Sequence, residues 1–327
     1  MKIAIYGAGA IGAHLGGMLA RTDVETSLIA RGPHLAAMRA KGLTCRFQDG
    51  TSFTVHPNAV EDPAELGPQD YVIVTLKAHQ SPTVVERMRP LLGPETAVVT
   101  AMNGVPWWYF HGLGGDLEGR SLESVDPGRA QWDGLGPERA IGMVVHPATE
   151  IVEPGVMQHM EGDAYPIGEP SGEKTDRITA LSDALTAAGL RAPIRTKIRD
   201  DIWMKLWGNL CLNPVSALTG ATLAGMGRDE EVRMLLFALA AEGRAVGEAV
   251  GARFRVTAER RLQAAFEVGE HKTSMLQDLE RGRPLEIDAL VSAVAELGRT
   301  AGIATPLLDA VLALVKLRAR TAGLYAP

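Results

Sequence analysis

The stretch Lys2-Ile3-Ala4-Ile5-Tyr6-Gly7-Ala8-Gly9-Ala10-Ile11-Gly12 decides how the first half of the chain folds. Residues 2–6 form a short apolar run that meets glycine at once, which reads as a buried strand. A helix-like run to about Arg21 follows, and 24–30 reads as a second strand. The three glycines have separate reasons. Gly7 permits the tight turn, Gly9 lets the backbone approach a pyrophosphate, and Gly12 lets helix and strand pack closely. The phosphates of a dinucleotide would rest on the helix N-terminus, where free amides and the helix dipole favour negative charge. On this reading Gly7, Ala8, Gly9, Ala10, Ile11 and Gly12 bind cofactor.

The end of the second strand selects the dinucleotide. A site for NAD usually carries Asp or Glu there to hold the ribose 2′-hydroxyl. This chain has Ala30-Arg31-Gly32 instead. A guanidinium matches a phosphate, so NADP(H) is the expected cofactor; the alternative is that Arg31 only ends a strand at the surface. Two later apolar runs, 71–76 and 97–102, read as parallel strands that end in Lys77 and in Asn103-Gly104. Ligands in such sheets bind beyond the carboxyl ends of the strands, which makes Lys77 and Asn103 candidate contacts rather than plain loop residues. The segment 106–138 starts Pro106-Trp107-Trp108-Tyr109-Phe110-His111 and shows no clear period. Connections of this length tend to be functional or mobile. Its aromatic start fits packing onto the sheet, a lid over a pocket, or a patch against a partner subunit. Strands over 140–145, 156–159 and 192–194, and a helix over 175–189, complete the first domain.

From about Lys197 the pattern changes to helical segments, 199–218, 230–250, 257–272, 285–302 and 306–322, with apolar residues recurring at three and four. The fold class is therefore α/β: a Rossmann-type dinucleotide-binding domain over 1–196 and an all-helical domain over 197–327. Within the first long helix Lys205, Asn209 and Asn213 recur every four residues, within roughly 80° of one face. Their neighbours Trp203, Leu206, Trp207, Leu210 and Leu212 are apolar, so the stripe is mostly inside the protein. A buried ammonium has a readily lowered pKa, and beside two amides it suits protonation of a substrate oxygen. The plainer alternative is a surface lysine with two chance asparagines. Pro214 removes a backbone hydrogen bond and predicts a kink beside the stripe. Ser274-Met275-Leu276-Gln277 reads as a capping box opening a short helix that ends near Gly282, whose first amides could hold a substrate carboxylate. Glu286 follows Pro284 near the next helix start, where the dipole favours its charge.

Composition narrows the classes. The chain has 327 residues, 46% hydrophobic and 22% charged, the balance of a globular protein with two real cores. A net charge of −6 argues against nucleic acid or an anionic membrane as partner. Cys45 and Cys211 match neither metal nor disulfide spacing, no metal site is expected, and a reducing compartment fits. Met1-Lys2 does not open a signal peptide, and no run approaches a membrane span. A cytoplasmic protein is expected.

Taken in order, these motifs resemble the ketopantoate reductase (2-dehydropantoate 2-reductase) family over nearly the whole chain except 106–138. They are the glycine fingerprint, Arg31, Thr75-Leu76-Lys77-Ala78, Asn103-Gly104, Trp203-Met204-Lys205-Leu206, Asn209, Asn213-Pro214, Ser274-Met275-Leu276-Gln277-Asp278 and Glu286-Ile287-Asp288. The resemblance implies that Lys205 donates the proton and that Glu286 is its ionic partner and a neighbour of the cofactor. It implies substrate contacts from Asn103, Lys205, Asn209, Asn213 and Ser274. Lys77, Asn103 and the backbone of Ala148, in His146-Pro147-Ala148, would contact cofactor. The reaction implied is NADPH-dependent reduction of a 2-oxo acid to the 2-hydroxy acid, ketopantoate to pantoate or a related pair, as in pantothenate biosynthesis. The substrate side departs from the family. Leu223 and His271 stand where asparagines are expected, and Val105-Pro106 with the aromatic segment replaces a second glycine. Two competing readings are a dehydrogenase of the 3-hydroxyacid or 6-phosphogluconate type and a non-catalytic NADP(H)-binding sensor. A homodimer through the helical domain is the expected assembly.

Overall fold

The structure is a computed structural model and describes residues 1–325. It divides into two compact units, Met1–Ser121 with Asp126–Ile198, and Leu122–Val125 with the chain from Arg199 onward. Leu122–Val125 go with the second unit although they interrupt the first.

The strands of the first unit are Lys2–Tyr6 (β1), Glu25–Ile29 (β2), Leu43–Arg46 (β3), Ser52–Val55 (β4), Asn58–Val60 (β5), Gln69–Val74 (β6), Leu92–Thr100 (β7), Ala140–Met143 (β8), Ala148–Glu153 (β9), Val156–Glu161 (β10) and Ile167–Gly168 (β11). Its main sheet runs β11-β8-β7-β6-β1-β2-β5, parallel except where β11 meets β8. From β1 the chain first adds β2 on one side, then returns to add β6 on the other. The strand order therefore reverses between β1 and β6, and a ligand crevice opens beyond their carboxyl ends. Helix Ala10–Leu19 (α1) leaves β1 through the glycine turn, and Gly32–Lys41 (α2) leaves β2.

A second sheet, β4-β3-β10-β9, was not anticipated beyond β10. Its strands are four to six residues long and mix polar with apolar positions, so a single buried run never marks them. It is built close to α1: a β-carbon on Gly17 would collide with the Cys45 sulfur. His14, also on α1, lies 4.9 Å ring to ring from His159 and bonds the Tyr165 hydroxyl at 2.7 Å through Nδ1. Burial pushes the His14 imidazole down to about 3, so it is neutral core rather than a proton carrier. The run 192–194 makes one isolated bridge, from Ile194 to Ile167.

The aromatic start of the segment packs inward, as the first of its three readings has it. Trp107, Trp108, Tyr109 and Phe110 are all buried in the core. The Trp108 indole donates to Thr100 Oγ1 at 2.8 Å, and a β-carbon on Gly142 would stand 2.7 Å from its ring. The rest of the segment is ordered by the buried Asp126 carboxylate, which accepts from the amides of Gln131 at 2.7 Å and Trp132 at 2.9 Å. Trp108→Ala removes a fully buried indole between β7 and β8. It is expected to destabilise by about 3–5 kcal/mol, read as a lowered midpoint in urea with unchanged slope.

The remaining helices of the first unit are Val85–Met88 (α3), Ala130–Leu135 (α4) and Asp176–Ala187 (α5). The second unit is helical: Ile198–Thr219 (α6, from Arg199 on), Leu223–Arg228 (α7), Glu230–Ala249 (α8), Ala258–Phe266 (α9), Ser274–Glu280 (α10), Ala293–Ala301 (α11) and Pro306–Thr321 (α12). α6 is the central one. Its Trp203 and Trp207 pack edge-on against Phe254 at 6.0 and 4.7 Å, and the Trp207 indole donates to the Ala240 carbonyl at 2.8 Å. α8 meets this bulk with glycine: β-carbons at Gly243 and Gly247 would strike Leu210 and Phe254. α6 continues through Pro214 to Thr219. α9 is shorter than the sequence suggests, and a π-helical turn, Asp288–Ser292, precedes α11. The Glu296 carboxylate accepts from the amides of Glu123 and Ser124, which holds Leu122–Val125 to this unit. No helix among the described residues is long and apolar enough to cross a membrane, and no metal-binding cluster of His, Cys, Asp or Glu occurs among them.

Candidate active site

The candidate residues fall into two groups, one in each unit. In the first, the fingerprint turn leaves β1 where the strand order reverses. Gly7 has φ +108°, a conformation that disfavours a side chain, and its amide and that of Ala8 donate to the Ile29 carbonyl at 3.2 and 3.1 Å. Thr75, just past β6, donates through Oγ1 to the Gly7 carbonyl at 2.5 Å and so braces the turn from the other side. A β-carbon on Gly12 would fall on the Gly7 carbonyl and the Thr75 hydroxyl. Gly9 differs: nothing lies within 4 Å of where its β-carbon would be. That open space over the first amides of α1 is a cradle a side chain would fill. Ala8 is buried, Ala10 and Ile11 are partly buried, and Arg31 is exposed as the residue before α2.

Lys77 follows β6 and begins a short 3-10 turn, Ala78–Gln80. Asn103 follows β7, and its buried Oδ1 has no hydrogen-bond partner. An acceptor left unsatisfied in this way costs about 1–3 kcal/mol unless something donates to it. The main-chain geometry there is set by Gly104 at φ +96°. Ala148 begins β9, in the second sheet, and is partly buried.

In the second unit Lys205, Asn209 and Asn213 lie along one face of α6, with Asn213 buried. Burial pushes the Lys205 ammonium down to about 8; the Glu286 carboxylate opposes that shift and the Arg261 guanidinium adds to it. Glu286 therefore faces Lys205 electrostatically, although 81 positions later in the sequence, and a pair of this kind keeps a tunable proton near neutral pH. Asn213 Nδ2 donates to Ser274 Oγ at 3.5 Å, which brings α10 to the same stripe. The capping box is shifted by one. Thr273, not Ser274, precedes α10 with extended backbone, and Thr273 Oγ1 accepts from the Leu276 amide at 3.3 Å. Ser274 is left exposed, its hydroxyl turned to Asn213 rather than to the backbone. Burial pushes the Cys45 and Cys211 thiols each up to about 12, so neither is a thiolate at neutral pH.

Comparison with known proteins agrees with this layout. The family model described as Ketopantoate reductase PanE/ApbA matches residues 3–107, and its C-terminal counterpart matches 197–319. A 2-dehydropantoate 2-reductase of Mesorhizobium japonicum is 54% identical over 99% of this chain and 100% of that protein. The chain belongs to the ketopantoate reductase family. It is accordingly an oxidoreductase with a Rossmann-like first domain and a helical second one. Among solved structures, a protein of Ralstonia solanacearum assigned as a ketopantoate reductase superimposes with a TM-score of 0.94 at 41% identity, covering 99% of both chains. A PanE/ApbA family ketopantoate reductase from Ralstonia eutropha gives 0.83 at 29% identity, covering 99% of this chain and 100% of that one.

Leu223 and His271 are neighbours: the Leu223 amide donates to the His271 carbonyl at 2.9 Å. Leu223 is buried and His271 exposed, so the first offers apolar surface and the second a solvated ring. One group beside Lys205 escaped the sequence reading altogether, Arg261 on α9. The available signal was Gly208, a residue without a side chain in the middle of a bulky helix.

Proposed function

We propose that this member of the family is an NADPH-dependent 2-oxo acid reductase, with ketopantoate as the first substrate to test. The observation that carries the reading is Lys205, with its pKa near 8 and Glu286 opposing, on the helix face of Asn209 and Asn213. The residues of the first unit fit a nicotinamide dinucleotide: the space over Gly9 admits a pyrophosphate, and the unpartnered Asn103 Oδ1 fits a carboxamide donor. Gly7, Ala8, Gly9, Ala10, Ile11, Gly12, Arg31, Lys77, Asn103 and the Ala148 backbone are its proposed contacts, with Glu286 a neighbour. When bound, the cofactor supplies a hydride to the ketone carbon.

Lys205 does the complementary work. Its ammonium donates a hydrogen bond to the ketone oxygen, stabilises the negative charge that grows there, and then gives up the proton, so that carbon gains hydride and oxygen gains H⁺. The amine left behind is recharged from solvent. The Glu286 carboxylate holds the lysine protonated at neutral pH against the cost of burial, and Asn209, Asn213 and Ser274 orient the substrate. A sensor without turnover has no use for such a proton donor.

The choice of NADPH rests on Arg31, exposed at the start of α2, where β2 ends without an acidic residue of its own. A charge-assisted hydrogen bond contributes about 1.5–3 kcal/mol, so kcat/KM is expected to favour NADPH over NADH by roughly 10- to 100-fold. Arg31→Ala is expected to erase most of that preference and leave NADH turnover unchanged. Equal kcat/KM for the two cofactors in the wild type contradicts the assignment. A panel of 2-oxo acids set against 3-hydroxy acids separates this reading from a 3-hydroxyacid-type dehydrogenase.

A further inference from the structure

Arg261 projects from α9 onto α6. Its Nε donates to the Met204 carbonyl at 3.2 Å. A β-carbon on Gly208 would stand 2.7 Å from its Cζ, so the guanidinium occupies the gap that the glycine leaves in the helix surface. No carboxylate among the described residues pairs with it; its charge is felt at Lys205 and at the Cys211 thiol. A largely buried guanidinium with only a backbone carbonyl for partner is unusual, because most of its five N–H donors are left for something else.

The helix geometry says what that is. At about 100° per residue, Gly208 and Met204 lie roughly 60° and 100° to one side of Lys205, and Asn209 and Asn213 roughly 40° and 80° to the other. Along the surface of α6 the Lys205 position thus has the gap crossed by Arg261 on one side and the Asn209 and Asn213 positions on the other. Lys205 feels a second cation, Arg261, as well as the Glu286 carboxylate. In a 2-oxo acid the carboxylate is bonded directly to the ketone carbon. A group that recognises it therefore stands beside the proton donor, and a guanidinium fork matches a carboxylate with two parallel hydrogen bonds.

We propose that Arg261, seated by Gly208, is the residue that recognises the carboxylate of the substrate. The inference rests on the 2-oxo acid reading above and adds the specificity determinant to it. Arg261 also acts on Lys205 through space: its charge favours release of the lysine proton, and the anionic substrate tempers that effect on binding.

The test compares the wild type with Arg261→Met, Arg261→Lys and Gly208→Ala, using NADPH with the best 2-oxo acid and with its uncharged carboxamide. Arg261→Met is expected to raise KM for the acid about 100-fold, with kcat within tenfold and NADPH affinity unchanged. The carboxamide, which never used the charge, is expected to keep its KM. Arg261→Lys retains the charge without the fork and is expected to recover about tenfold of the loss. Gly208→Ala displaces the guanidinium and is expected to raise KM for the acid alone. In Arg261→Met the basic limb of the rate profile is expected to move to higher pH. A structural role predicts equal losses on acid and carboxamide with no shift of the limb, and that result overturns the proposal. So does an unchanged KM for the acid in a folded Arg261→Met. If Arg261→Met does not fold, the acid-against-carboxamide split in Arg261→Lys and Gly208→Ala decides by the same criterion. A wild type that turns over no 2-oxo acid removes the underlying reading and this inference with it, whereas an active wild type indifferent to Arg261 removes this inference alone.

Discussion

Lys205→Ala is expected to lower kcat for 2-oxo acid reduction by at least roughly 10²-fold, because it removes both the proton donor and a cation acting on the developing oxyanion. NADPH affinity, set by the first unit, is expected to stay near the wild-type value. The pH dependence follows from the same group. Reduction needs the lysine protonated, and its pKa is held near 8 rather than in the ordinary lysine range. Wild-type kcat/KM is therefore expected to be level below about pH 8 and to fall tenfold per unit above it. Glu286 raises that pKa, so Glu286→Gln is expected to move the limb to lower pH and to slow turnover at neutrality. The double variant is expected to cost less than the product of the two single losses, because the pair acts as one unit. A Lys205→Ala enzyme that keeps most of its kcat with a verified substrate places the proton source elsewhere.

The second large effect is expected from Gly9→Val. Gly9 has φ −70° and ψ −164°, extended backbone open to any residue, and no atom within 4 Å of a β-carbon. The free protein is expected to accept valine with its melting temperature within a few degrees. The cradle for the pyrophosphate is filled, however, and overpacking of a well-fitted site costs about 1–3 kcal/mol or more, so NADPH affinity is expected to fall at least roughly 10- to 100-fold. Gly12→Val makes the contrast. There a β-carbon strikes the Gly7 carbonyl and the Thr75 hydroxyl, so stability is lost together with binding. Titration of NADPH beside a thermal melt distinguishes the two variants. Undiminished NADPH binding by Gly9→Val contradicts a pyrophosphate over this turn.

The glycine turn was legible because its constraints are local: Gly7 needs its φ and Gly12 its closeness to β1, whatever the rest of the chain does. The period of four at Lys205, Asn209 and Asn213 was legible for the same reason. What stayed hidden depends on partners far away in sequence. The aromatic run 107–110 reads equally as lid or core until Thr100 and Gly142 are seen to receive Trp108. The second sheet exists because Leu43–Arg46 pairs with Val156–Glu161 more than a hundred residues on, and neither strand is apolar enough to announce itself. Thr273 and Ser274 are both able to cap a helix, and the extended backbone at Thr273 selects it. Arg261 sits in an ordinary amphipathic helix beside Arg260, and only the gap at Gly208 hinted that something crosses α6. The dinucleotide turn thus follows from short-range pattern. The electrostatics around Lys205 follow from α6, α9 and the chain segment carrying Glu286, whose order in the sequence conceals their influence on one another.

One measurement bears most directly on the central claim: the oxidation of NADPH by the purified protein with ketopantoate, extended to other 2-oxo acids, with product identified. The expected result is one NADPH consumed per keto acid reduced, release of the 2-hydroxy acid, and a rate that falls above about pH 8 as Lys205 loses its proton. NADPH that binds but is not oxidised by any 2-oxo acid, or oxidation confined to 3-oxo acids, contradicts the account.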